Sequence, residues 1–167
     1  AEMLRDAGYQ TAFIGKWHLG WDWSGLDSAG RDNLNWDEKD FDDIDFSKPI
    51  SNGPNDLGFD YAYGHSGSLD MAPYVYVENG MVTALPARVT VDKGKFTWWR
   101  EGPTGSDFIH EEVTPNFFNK AIDYVQKRSD TGQPFFLYLA LPSPHTPILP
   151  TEEWLGKSAL NPYADFV

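Results

Sequence analysis

Residues 1–20 read AEMLRDAGYQTAFIGKWHLG, and this stretch decides the fold. Ala1 to Ala7 has the character of the last two turns of a helix. Gly8 follows where a helix ends on a left-handed residue, a conformation that glycine adopts without steric cost. Thr11 to Gly15, TAFIG, is then a short, continuous apolar run bounded by polar and glycine residues. Such a run predicts a strand buried on both faces, because a strand with one wet face alternates apolar and polar positions. Helix, glycine and doubly buried strand in succession are the rhythm of an α/β sheet.

The same rhythm returns near the other end. Thr114-Pro115 reads as an N-cap followed by proline at the first helical position, and Phe118, Ile122 and Val125 then recur at helical spacing up to Lys127-Arg128. After Gln133-Pro134, the run FFLYLAL, Phe135 to Leu141, predicts a second buried strand. An amphipathic helix leading into such a strand fits a right-handed crossover onto a parallel sheet. Between these units the chain is less regular. Trp21 to about Leu57 is rich in Asp, Asn and Gly and reads as a long surface excursion. Its acidic run DEKDFDDIDF lacks the spacing of an EF-hand calcium loop and reads as a solvated charged loop. GFDYAYG, Gly58 to Gly64, is a brief aromatic strand, and YVYVENGMVTAL carries a β-hairpin signal centred on Asn79-Gly80. These are expected to be small antiparallel elements decorating the main sheet.

With 167 residues, 41% hydrophobic and 23% charged, the chain has the size and composition of one globular unit rather than a disordered or membrane-spanning one. A formal charge of -12 opposes nonspecific binding to nucleic acid or to an anionic membrane surface. Cysteine is absent, so disulfides, thiolate zinc sites and cysteine nucleophiles are excluded from this stretch. No apolar run reaches membrane-helix length, and the first residues are not a secretory signal. The chain opens in mid-helix and stops where Asn161-Pro162 starts another, so residues 1–167 are expected to be an interior segment of something longer.

In open α/β sheets ligands bind beyond the carboxyl ends of the parallel strands. The first strand runs into GKWHLG, where Lys16 and His18 project to one side if the segment stays extended, since side chains alternate with period two. The second runs into PSPHTP, whose prolines stiffen the loop carrying His145. A lysine and two histidines on one edge form a cationic, donor-rich group suited to a tetrahedral oxyanion and to passing protons to a leaving oxygen. His65 and His110 lack strand-end placement and read as surface or capping residues.

LRDAGYQTAFIGKWHLG resembles the second signature of the type I sulfatases, GPNDLGFDYAYG is similar to the glycine-aromatic segment of that family, and QPFFLYLALPSPHTPILP is similar to its strand and histidine-bearing loop. The blocks stand in the family's order and, with SLDMAPYVYVENG, cover most of the chain. The resemblance implies a mainly parallel α/β sandwich of the alkaline-phosphatase type, with added antiparallel hairpins and long loops. It implies that Lys16 binds sulfate oxygens and stabilises the nucleophile, that His18 is the base that helps expel sulfate from a covalent intermediate, and that His145 contacts the sulfate and the leaving-group oxygen. It further implies a formylglycine nucleophile, made from Cys or Ser in a C/S-x-P-x-R motif, and a calcium ion; no such motif occurs in this sequence. Both groups are therefore expected outside residues 1–167, and this segment alone is expected to be inactive.

The expected substrate is a sulfated small molecule or polysaccharide, and the expected location periplasmic or secreted, by family analogy. Asp70 and Arg100 lie in segments that vary among sulfatases and could contact the sugar or aryl part of the substrate. Trp17, Trp21, Trp23, Trp98 and Trp99 could offer stacking platforms, with Trp17 expected to pack behind the signature. Two other readings stay open: a phosphodiesterase or phosphonate monoester hydrolase of the same superfamily, and a noncatalytic glycan-binding relative.

Overall fold

A computed structural model describes residues 1–25 and 41–167. The helical end at the amino terminus is the single turn α1 (Glu2–Asp6), and Gly8 follows at φ +88°, the left-handed conformation expected of it. Strands β1 (Gln10–Lys16), β2 (Tyr61–His65), β3 (Val77–Glu78) and β4 (Met81–Val82) come next. They are followed by β5 (Pro86–Asp92) and β6 (Trp99–Gly105), then α2 (Val113–Ser129), β7 (Phe135–Ala140) and α3 (Pro162–Phe166). The main sheet has the order β4-β3-β2-β1-β7, with β1 parallel to both β2 and β7. The remaining pair, β5 and β6, forms a separate antiparallel ribbon.

Flanked by a parallel strand on each side, β1 is buried from Thr11 to Gly15, as its apolar run requires. Its alternating side chains serve two cores. Ala12 and Ile14 face the side on which Val113, Phe117, Ala121 and Tyr124 of α2 pack. Phe13 points the other way, into a group with Trp17, Phe59 and Ala62, where its ring meets Trp17 edge to face at 5.0 Å. Each fully buried large apolar side chain of this kind contributes about 1.5–3 kcal/mol relative to exposure.

Several expectations are corrected. GFDYAYG supplies β2, a parallel member of the main sheet rather than an antiparallel decoration; the hairpin that does decorate it is β3–β4, turned at Asn79 (φ +48°) and Gly80 (φ +87°). Among the described residues β7 is the outer strand of the five-stranded sheet, and within residues 1–167 its side chains are partly buried, with Tyr138 50% exposed. On α2 the apolar stripe that meets the sheet is Val113, Phe117, Ala121 and Tyr124, whereas Phe118, Ile122 and Val125 are 44%, 52% and 38% exposed. The helix carries apolar residues on two faces, and periodicity alone could not choose between them. Its N-cap is Glu112, not Thr114, because the 3-10 turn His110–Glu112 runs straight into it. The acidic run falls partly outside the described residues, but the excursion is not all surface: Trp23 and Ile44 are buried against Val75 and Val77.

His65 and His110 are also buried rather than superficial. His65 lies 5.2 Å from Phe108, and His110 stacks on Trp99 at 3.9 Å. Burial lowers His65 from 6.5 to about 4 and His110 to about 3, with the neighbouring His65 adding to the depression at His110. Both fold neutral, whereas the unfolded chain protonates them below pH 6.5. Their stabilisation is complete above that pH and is lost as pH falls toward the folded values. The expected loss is about 1 kcal/mol per histidine by pH 5.5. Thermal melts between pH 7.5 and 5.5 check this: a melting temperature that does not fall would contradict it.

Candidate functional site

Because β1, β2 and β7 are parallel, their carboxyl ends share one edge. Lys16 ends β1 opposite His65, which ends β2, and the loop after β7 carries His145. The chain beyond Lys16 does not stay extended: His18 has φ +52°, a conformation that costs a residue with a Cβ on the order of 1 kcal/mol. Two backbone bonds hold it there, from Trp17 N–H to the His65 carbonyl at 2.9 Å and from His18 N–H to the Ser66 carbonyl at 2.8 Å. Trp17 is buried behind the signature, as expected, and its indole N–H donates to the Gly20 carbonyl at 2.8 Å.

Lys16 and His18 nevertheless meet. The Lys16 ammonium donates to Ser68 Oγ at 3.1 Å, and the same hydroxyl bonds His18 Nδ1 at 3.2 Å. Ser68 is buried, and sequence reasoning missed it because nothing in GSLDM ties it to a lysine 52 residues away. Two residues on, Asp70 is 7% exposed, and its Oδ2 accepts from Arg100 Nη1 at 2.6 Å while its carbonyl accepts from Arg100 N–H at 3.2 Å. Among the described residues Asp70 Oδ1 has no hydrogen bond; it lies 3.7 Å from His145 Nδ1. Since a carbonyl only accepts, the 2.7 Å contact between His145 Nδ1 and Thr146 O places a proton on Nδ1 and leaves Nε2 to meet a ligand.

Electrostatics join the two groups. His18 is exposed overall, yet the part of its ring that is covered holds it below its ordinary 6.5, followed by Lys16 and His145, with Asp70 opposing. The five residues singled out in the sequence thus form two linked sets, Lys16 with His18 and Asp70 with Arg100 and His145. Of the tryptophans, Trp17, Trp23 and Trp99 are buried; Trp98 is 37% exposed and carries the Arg100 guanidinium 5.0 Å from its ring. A separate cavity of about 700 Å³ lies between the start of α2 and residues 149–167, with walls including Phe118, Leu149, Trp154 and Phe166. None of the five residues lines it, so the strand-end group, not the cavity, is the candidate site.

The sulfatase family model matches residues 1–167. The chain belongs to the sulfatase family. Among similar proteins, an N-acetylgalactosamine-6-O-sulfatase of Bacteroides thetaiotaomicron is 26% identical over 100% of this sulfatase chain and 36% of its own length. An N-acetylgalactosamine-6-sulfatase of Sus scrofa is 27% identical over 99% of the chain and 26% of its own length, and arylsulfatase G of Mus musculus is 29% identical over 89% and 25%. A solved Bacteroides thetaiotaomicron structure, described with the metabolism of multiple glycosaminoglycans, superposes with TM-score 0.74 at 26% identity over 99% of this chain and 38% of that one. The sulfatase chain therefore spans between a quarter and two fifths of the length of these relatives.

This stretch of the sulfatase does not supply every part the family implies. Among the described residues no group of three or more His, Asp or Glu side chains could hold a calcium ion, and the sequence has no formylglycine motif. The described residues do not fit a calcium ion, and residues 1–167 hold no precursor motif for formylglycine. No described helix is long and apolar enough to cross a membrane.

Proposed function

We propose that this chain is part of the catalytic domain of a sulfuric ester hydrolase that removes sulfate from a sulfated carbohydrate or aryl ester. The observation that carries the reading is the convergence of Lys16 and His18 on one buried hydroxyl at the carboxyl ends of parallel strands, with His145 3.7 Å from the Asp70 carboxylate two residues on from that hydroxyl. A sulfate ester presents anionic oxygens that an ammonium can hold, and fixed charge at a strand edge stabilises an anion best where water is partly excluded. In this reading Lys16 binds the sulfate oxygens, His18 in its neutral form takes a proton, and His145 turns Nε2 toward the leaving oxygen. The formylglycine and calcium belong to other parts of the full-length protein, whose placement is periplasmic or secreted.

Asp70 and Arg100 are the proposed contacts to the organic part of the substrate. Asp70 and Arg100 are paired at 2.6 Å beside His145, and Trp98 beside Arg100 offers a flat wall for a pyranose ring. The relatives named for N-acetylgalactosamine 6-sulfate support a sulfated amino sugar as the first substrate to try. The test is sulfate release by the full-length protein from a 6-sulfated N-acetylgalactosamine and from a simple aryl sulfate. Turnover of either supports the reading, and no release from these or any other sulfate ester contradicts it.

A pH prediction follows from His18. Because burial, Lys16 and His145 hold it neutral, the acidic limb of kcat/KM is expected below pH 6.5. Asp70→Asn removes the opposing charge and should move that limb lower still, while weakening a sugar substrate more than an aryl one. An Asp70→Asn limb at higher pH would refute this assignment.

A further inference from the structure

His65 is the most deeply buried histidine near the site, and no step of the proposed reaction uses it. It ends β2 directly opposite Lys16, its carbonyl accepts from Trp17 N–H, and its side chain is wholly enclosed. Both ring nitrogens face backbone carbonyls: Nδ1 lies 3.3 Å from Val75 O and Nε2 lies 3.3 Å from Ser68 O. Tyr74 and Phe108 pack against the ring. An apolar ring would fill this space equally well, so packing does not explain a histidine. The burial of an imidazole costs free energy unless its N–H finds an acceptor, and one of the two acceptors here, the Ser68 carbonyl, belongs to the turn that carries Ser68 and Asp70.

We propose that His65 is a positioning residue: it ties the Ser68 backbone from beneath so that the Ser68 hydroxyl stands where it meets both Lys16 and His18. The neutral ring has one N–H for two carbonyls, and the bond to Ser68 O bears on the site. The chain of contacts runs from His65 Nε2 to the Ser68 carbonyl, from Ser68 Oγ to Lys16 Nζ, and from the same Oγ to His18 Nδ1. A displacement of the turn by about 1 Å is enough to cost up to 100-fold in rate when it misplaces groups at the reacting centre. The catalytic half of this inference rests on the sulfatase reading; the positional half does not.

The test compares His65→Phe, which keeps an aromatic ring without a donor, with His65→Gln, which keeps an N–H donor, in the full-length protein. His65→Phe is expected to lower kcat/KM for a sulfate ester about tenfold or more and to shift the ring NMR signals of labelled His18. His65→Gln should restore most of both. A folded His65→Phe protein with unchanged kcat/KM and unchanged His18 signals would overturn the proposal, as would a folded His65→Gln protein that loses as much as His65→Phe. If His65→Phe does not fold, His65→Met takes its place as the variant without a donor, with the same outcomes. The His18 signals need no turnover, so a protein lacking sulfatase activity would sink the functional reading while His65 remains decided by the NMR comparison.

Discussion

Lys16→Ala in the full-length protein is expected to reduce kcat/KM for sulfate-ester hydrolysis by about 10³-fold, in the range lost when one preorganised donor to a developing anion is removed. Lys16 provides a charge that water cannot replace at the same point: its ammonium is fixed by Ser68 Oγ at 3.1 Å, at the end of a strand with neighbours on both sides. Residues 1–167 carry a net charge of -12, so over this part of the surface an anionic ester is drawn in only near local cations such as Lys16. Lys16→Arg keeps the charge but replaces a compact ammonium by a planar fork, and should recover only part of the loss. The side chain is only partly buried, so neither variant should unfold the protein. Steady-state kinetics with matched thermal melts check this, and a loss of less than about tenfold in Lys16→Ala would show that the ammonium is not in the site.

The second large effect is structural. Gly15 stands at φ +131° and is in register with Gly64 on one side and Ala140 on the other. A Cβ there would lie 1.9 Å from the Ala140 carbonyl oxygen, and one on Gly64 would lie 2.1 Å from the Gly15 carbonyl oxygen. Neither contact involves a flexible side chain that could step aside; both are backbone. Gly15→Ala must therefore separate β1 from β7 at the point where Lys16 leaves the sheet, and is expected to destabilise the fold by about 4 kcal/mol or more. Denaturant unfolding measures it directly. A Gly15→Ala protein within about 1 kcal/mol of the parent would mean that β1 and β7 do not pair as closely as described.

The glycine in GKWH thus has a reason apart from chemistry, and it shows how much of the fold was legible. TAFIG could be read because burial on both sides leaves an unbroken apolar run, and β7 could be read from its own apolar run although it is only partly buried. β2 was misassigned because YAYGH is short and mixes aromatics with glycine, so nothing local says whether its neighbour runs parallel. The ribbon β5–β6 was invisible for a related reason: Pro86, Gly102 and Pro103 break its alternation, and its register shifts at two places. On α2 both possible stripes were apolar, and only contact with Ile14 and Tyr63 selects the one led by Phe117.

The candidate site was legible where motifs carry it and hidden where tertiary contact does. Lys16, His18 and His145 announce themselves by following strands. Asp70 and Arg100 stood out only as charges in variable segments, and it is the meeting of the turn after β2 with β6 that brings them to 2.6 Å. Ser68 and His65 had no signal. A serine in a glycine-rich turn and a histidine among tyrosines look ordinary, and their meaning lies in which carbonyls and ammonium surround them.

The central claim is that the cations at these strand ends serve a sulfate ester. The most direct measurement pairs two substrates with one leaving group, an aryl sulfate and the corresponding aryl phosphodiester, and follows hydrolysis of each by the full-length protein and by its His145→Ala variant. The expected result is a higher kcat/KM for the sulfate, falling sharply when His145 is removed. A higher kcat/KM for the phosphodiester, or sulfate release indifferent to His145, would contradict it.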